Sequence, residues 1–91
     1  MKLTFPTITD PTVETGCVLP TVLAVEYDYI NERGFIVYSD GTERRIETLP
    51  APLDPWAKDV YDQGLNEAPD AFPCAIEFGI INGRHYAEFL S

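Results

Sequence analysis

Fifteen carboxylates and six basic side chains are most of the reactive chemistry this 91-residue chain offers. Two carboxylates can work as general acid and general base when a cleft holds their pKa values apart. The best such pair is Glu77 and Glu88, which face each other across a C-terminal hairpin in the register read below. So short a chain has little room for a substrate cleft around them, and a solvated sheet face is the better account. His85, the single histidine, lies one residue from that hairpin's tip and on its core side, as a structural histidine does. Ser39 and Ser91 are the only serines, and neither sits in the strand-to-helix elbow of an activated nucleophile. Cys74 alternates in phase with a core strand, and no base is placed beside Cys17 by the sequence. The glycines stand singly, so there is no phosphate-cradling loop, and no Asp-x-Asp-x-Asp-Gly calcium loop occurs. The pattern assigns no catalytic residue, no metal and no cofactor, and it argues against an enzyme.

Charge points instead to binding. A net charge of −9 repels nucleic-acid backbones and anionic membranes and favours a basic protein surface. The acidic residues Asp54, Asp59, Asp62, Glu67 and Asp70 form a belt interrupted only by Lys58. Carboxylates spaced along a short rigid helix and its following loop can imitate a row of phosphates and occupy a basic groove. The competing account is a solvated helix face. The start MKLTFPTITDP lacks the apolar run of a signal peptide, and no segment approaches the ~18 apolar residues of a membrane span. Cys17 and Cys74 are far apart, which excludes a zinc-ribbon spacing and a disulfide-dense scaffold. Two reduced thiols in a cytoplasmic protein are expected, a single bridge between them being the alternative.

Eight prolines punctuate the elements that must position these groups. Pro6, Pro11 and Pro20 predict an extended arm over 1–20, with strand-like pieces near Leu3–Phe5 and Cys17–Leu19. Alternation over 22–48 predicts a three-stranded meander. Its first turn reads as a three-residue loop, Glu32-Arg33-Gly34, with Gly34 left-handed; this sets Asn31 opposite Phe35, Tyr29 opposite Val37 and Tyr27 opposite Ser39. A two-residue Asp40-Gly41 turn then sets Val37 opposite Arg44 and Phe35 opposite Ile46. In that register Val25, Tyr27, Tyr29, Phe35, Val37 and Ile46 form the inner face. Ile30, Ile36 and Tyr38 point outward among charged residues, so Ile36 and Tyr38 join the candidate partner-binding residues.

Residues 54–64 predict a short helix, with Asp54 as N-cap, Pro55 at the first position and Gly64 as the stop. Trp56, Ala57, Val60 and Tyr61 supply its apolar stripe, and packing of Trp56 and Val60 must hold it. Over 74–90, Asn82-Gly83 between two apolar runs is the strongest hairpin signal in the chain. It sets Ile81 opposite Arg84, Ile80 opposite His85, Gly79 opposite Tyr86, Phe78 opposite Ala87, Glu77 opposite Glu88 and Ile76 opposite Phe89.

The expected fold is therefore a single α+β domain: a small antiparallel sheet, made of the meander and the hairpin, with one short helix on one face. In size and acidity, though in no alignable motif, the chain is similar to small phage-encoded proteins that block host nucleases or defence complexes. It is similar in the same respects to small accessory proteins of phage tails. The first resemblance implies an inhibitor or adaptor that occupies a basic, nucleic-acid-binding surface of a protein partner. The second implies a structural or assembly protein that self-associates, or joins a larger complex, through apolar residues and strand edges.

Overall fold

The computed structural model describes residues 15–90; the expected strand piece at Leu3–Phe5 and most of the expected arm lie outside them. Strands β1 (Thr15–Asp28), β2 (Arg33–Ser39) and β3 (Arg44–Thr48) are followed by helix α1 (Asp54–Asp62) and strands β4 (Cys74–Ile81) and β5 (Arg84–Phe89). The strands form one five-stranded antiparallel sheet in the order β3-β2-β1-β4-β5. This is a small α+β domain with one helix packed on its sheet.

β1 is the long central strand. Its C-terminal part pairs with β2 from Val22 to Asp28, and its N-terminal part pairs with β4 from Thr15 to Val22. The expected boundary at Pro20 is not a break: the strand runs through it, with register irregularities between Leu19 and Val22 and between Val22 and Ala24. Proline has no N–H to give a ladder, and an irregularity is where a strand accommodates it.

The β4–β5 register is the expected one at every pair from Ile76–Phe89 to Ile81–Arg84. Asn82 and Gly83 both adopt left-handed backbone, at φ 53° and 73°, as a two-residue hairpin turn of this kind requires.

The meander departs from expectation. Tyr27 lies opposite Gly34 rather than Ser39, and β1 joins β2 through the four residues Tyr29–Glu32. The left-handed residue is Glu32, at φ 55°, not Gly34. The displacement is odd, so β2 is turned over relative to β1. Ile36 and Tyr38 are core residues, 0% and 4% exposed, and their expected place on an outer face is overturned. Val37 lies opposite Ile46 rather than Arg44, through a four-residue loop from Asp40 to Glu43. That displacement is even, so Phe35, Val37 and Ile46 still share a face, but it is the face away from the core, and Ile46 is 66% exposed.

The core is one cluster of Leu19, Val22, Val25, Ile36, Tyr38, Ile76 and Phe78 beneath Leu49, Leu53, Ala57 and Val60. Burying each large aliphatic or Phe side chain contributes about 1.5–3 kcal/mol, which outweighs the marginal stability of a helix as short as α1. Trp56 adds edge-to-face packing on Phe78 at 5.9 Å and tilted packing on Phe89, also at 5.9 Å.

Gly34 explains how α1 lies so close to the sheet. A Cβ built on Gly34 would come 2.4 Å from the Ala57 Cβ, a distance no real pair tolerates. The glycine is there for the approach of the helix, not for a turn. Asp54 is likewise not the N-cap: a 3-10 turn over Ala51–Leu53 runs straight into α1, and Leu53 holds the cap position with no side-chain bond. The Asp54 carboxylate is turned back to β2, where it accepts from the Gly34 N–H at 2.8 Å and pairs with Arg33 Nε at 3.0 Å. Gly64 ends the helical segment in left-handed backbone, as expected.

Candidate partner-binding surface

Both meander loops are built by an aspartate at their start. The Asp28 carboxylate accepts from the backbone N–H of Ile30 at 2.9 Å and of Asn31 at 3.2 Å, and from the Asn31 side chain at 2.7 Å. Asp40 accepts from the N–H of Thr42 at 3.0 Å and of Glu43 at 2.8 Å, and binds Arg45 Nε at 3.0 Å. These are Asx-type turns, in which a side chain replaces a backbone acceptor. The donated hydrogen bonds hold both carboxyls below the usual carboxylate range, Asp40 far below it.

The Asp28 loop pushes Tyr29 and Ile30 out to 52% and 92% exposure. Tyr29 lands beside α1. Its ring packs edge-on to Tyr27 at 4.9 Å and to Tyr61 at 6.3 Å, and its hydroxyl donates to Asp62. Lys58 binds the same Asp62 at 3.0 Å and sits 5.5 Å from the Tyr29 ring centroid, within cation–π range. The Tyr29 hydrogen bond and then Lys58 hold the Asp62 carboxyl below its ordinary range; the same hydrogen bond pushes the Tyr29 phenol up. Asp62 stands in the last turn of α1, where the helix dipole disfavours an anion, and these two partners offset that. Tyr61, expected in the apolar stripe of the helix, is 40% exposed at this surface.

The acidic belt is therefore divided. Asp54 is committed to Gly34 and Arg33 and leaves the surface set. Asp62 is exposed but engaged with Tyr29 and Lys58. Asp59, Glu67 and Asp70 are exposed and make no ion pair among the described residues. Asn66 fixes the segment that carries Glu67: its amide accepts from the Val25 N–H at 3.1 Å and donates to the Val25 carbonyl at 2.8 Å. It thereby pairs with β1 as a further strand would, just past the last β1–β4 pair. Neither Tyr29 nor Tyr61 nor Asn66 was a sequence candidate. Asp28 followed at three residues by Asn31 is the signal that would have placed Tyr29 in a loop.

Two other features complete the surface. Glu77 and Glu88 do face each other, and Glu77 accepts from the Tyr86 hydroxyl at 2.8 Å, which gives that carboxylate a neutral partner. A cleft of about 430 Å³ lies where β1 parts from β2, between Leu19–Pro20 and Tyr38–Gly41. Its lining includes Cys17, a free thiol pushed up by burial and then by Glu77. Tyr38 also lines it, and its buried hydroxyl has no hydrogen-bond partner among the described residues. Among the described residues no three His, Cys, Asp or Glu side chains are grouped to hold a metal ion. None of the described helices is long and apolar enough to cross a membrane.

No family model, curated protein or solved structure matches the chain.

Proposed function

We propose that this chain is a non-enzymatic protein-binding module that engages a basic surface of its partner through Tyr29, Tyr61, Asp59 and Asp62, with Glu67 and Asp70 extending the acidic rim. One observation carries the reading: two half-exposed tyrosine rings lie 6.3 Å apart beside Asp62, on a helix whose other exposed carboxylate, Asp59, makes no ion pair among the described residues. Aromatic anchors inside a charged rim are the anatomy of an interface hot spot, and the negative field steers a basic partner to it. A groove that normally holds nucleic acid is a surface of that kind, so the chain acts as an inhibitor or adaptor such as small phage-encoded proteins supply. We place it in the cytoplasm, where Cys17 and Cys74 stay reduced.

The test is titration with octalysine amide, followed by the NMR signals of the Tyr29 and Tyr61 rings. Asp59→Lys with Asp62→Lys should weaken binding by more than about tenfold, and raising the salt should weaken it in the unsubstituted protein. Glu47→Lys with Glu88→Lys changes the net charge equally at other places and should cost far less. Equal losses in the two double variants would sink the reading, because net charge alone would then account for the binding.

A second reading is favoured by the sheet face away from the helix. There Ala24, Val37 and Ile46 stand side by side on three strands, flanked by Phe35. An apolar row that the described residues leave half-exposed, and Ile46 exposed, suits self-association or entry into a larger assembly. Sedimentation at micromolar concentration tests it: a protein that is monomeric both as it stands and as Ile46→Asp is not an assembly protein of this type.

A further inference from the structure

We propose that the Tyr29–Asp62 surface takes a lysine or arginine side chain of the partner, and that Lys58 occupies this position in the free protein as a built-in competitor. The inference rests on the protein-binding reading above and names what its surface recognises.

Lys58 shows the chemistry that the surface accepts. Its ammonium is 5.5 Å from the Tyr29 ring centroid and 3.0 Å from Asp62 Oδ2. The Tyr29 hydroxyl donates to the same carboxylate. Ring, carboxylate and ammonium thus close a triangle, in which the ring quadrupole and the carboxylate attract one cation together. Carboxylate and phenol also raise the affinity of Lys58 for its own proton, so the occupant is charged throughout the neutral range.

The triangle is not what holds the helix down. Ala57 against Gly34 and Trp56 against Phe78 do that on the buried side of α1. The Lys58 and Asp62 side chains are 46% and 40% exposed. Exposed pairs at this spacing are weak and screened by salt, so an incoming cation displaces Lys58 at little cost. Charge decides the class of occupant: with a net charge of −9 an anionic group is repelled, and a neutral donor gains a hydrogen bond but not the attraction that ring and carboxylate exert together on a cation. Tyr61 offers a second ring and Asp59 a further exposed carboxylate, so a segment bearing several cations can follow the first one in.

Lys58→Gln and Arg84→Gln each remove one positive charge, the first inside the triangle and the second at the turn joining β4 and β5. Both are titrated with octalysine amide beside the unsubstituted protein. Lys58→Gln should bind about three- to tenfold more tightly, and Arg84→Gln should change by less than about twofold. Adding Tyr29→Ala to Lys58→Gln should remove the gain, with circular dichroism showing an intact fold. An equal gain in the two single variants would overturn the inference while leaving the broader reading in place, provided Asp59→Lys with Asp62→Lys still abolishes binding. Weaker binding by Lys58→Gln would also overturn it, because Lys58 would then be positioning Asp62 rather than competing for it. If octalysine leaves the two tyrosine rings unperturbed in every variant, the broader reading falls and takes the inference with it.

Discussion

The two ends of the sheet reverse their strands by different means. Between β4 and β5, Asn82 and Gly83 lie in left-handed backbone, and the turn needs no side chain. Between β1 and β2, and again between β2 and β3, an aspartate gathers the backbone N–H groups of a four-residue loop. One turn is fixed by backbone conformation alone, the others by a charge together with one positive-φ residue, Glu32 or Gly41. The difference also decides what each can display: the two-residue turn shows little beyond its own atoms, while the Asp28 loop carries Tyr29 and Ile30 into solvent beside α1.

The severest way to break the meander alone is at its contact with the helix. Gly34→Ala drives a methyl into Ala57 and should cost about 3 kcal/mol, measured by urea unfolding. Ala57→Gly in the same chain should recover part of that, less the ~1 kcal/mol that glycine costs inside a helix. An additive double variant would show that the 2.4 Å approach is not what Gly34 provides.

A smaller effect separates the hairpin. Gly83→Ala places a Cβ at φ 73° and should cost about 1–2 kcal/mol, with no dependence on pH. The smallest effect concerns the loops and appears only in acid. Asp28 and Asp40 have folded-state pKa values below their unfolded ones. Their contribution is complete above the unfolded value of about 3.9 and is lost as pH falls through the lowered folded values. Amide exchange should therefore show the N–H groups of Ile30 and Asn31 losing protection first below pH ~4, then those of Thr42 and Glu43. The Asn82-Gly83 turn should keep its protection over that range. Loss in all three turns together would mean that the whole sheet unfolds before either loop opens.

The same difference governs how much could be read from the sequence. Asn-Gly declares its conformation in the residues themselves, so the β4–β5 register was legible pair by pair. Aspartate does not: it is common in this chain, and only a particular side-chain rotamer makes it a turn. Gly34 misled for a related reason. A glycine needed for left-handed backbone and one needed for close approach look alike until Ala57, on another element, is brought against it. Reading Gly34 as a turn moved β2 by an odd number of residues, and so exposed Ile36 and Tyr38 on paper while burying Ile46. At the candidate surface, Asp59 and Asp62 could be found from helical spacing. Tyr29 could not, because in the sequence the alternation of Val25 and Tyr27 continues past Asp28 to Tyr29 itself.

β1 pairs Thr15 with Ile80 and Leu19 with Ile76, contacts that span nearly all of the described chain. The meander and α1 can form from neighbouring segments, but the N-terminal half of β1 finds its β4 partner only when β4 and β5 arrive. Closing so long a loop is what slows folding in sheets of high contact order. On the ribosome, the β4 lane beside β1 stays empty until residues 74–81 have been made. Val22, in register with Tyr38 on one side and Cys74 on the other, is where the early and late halves of the molecule are joined. Long-range pairing of this kind makes that seam the expected slow step of folding.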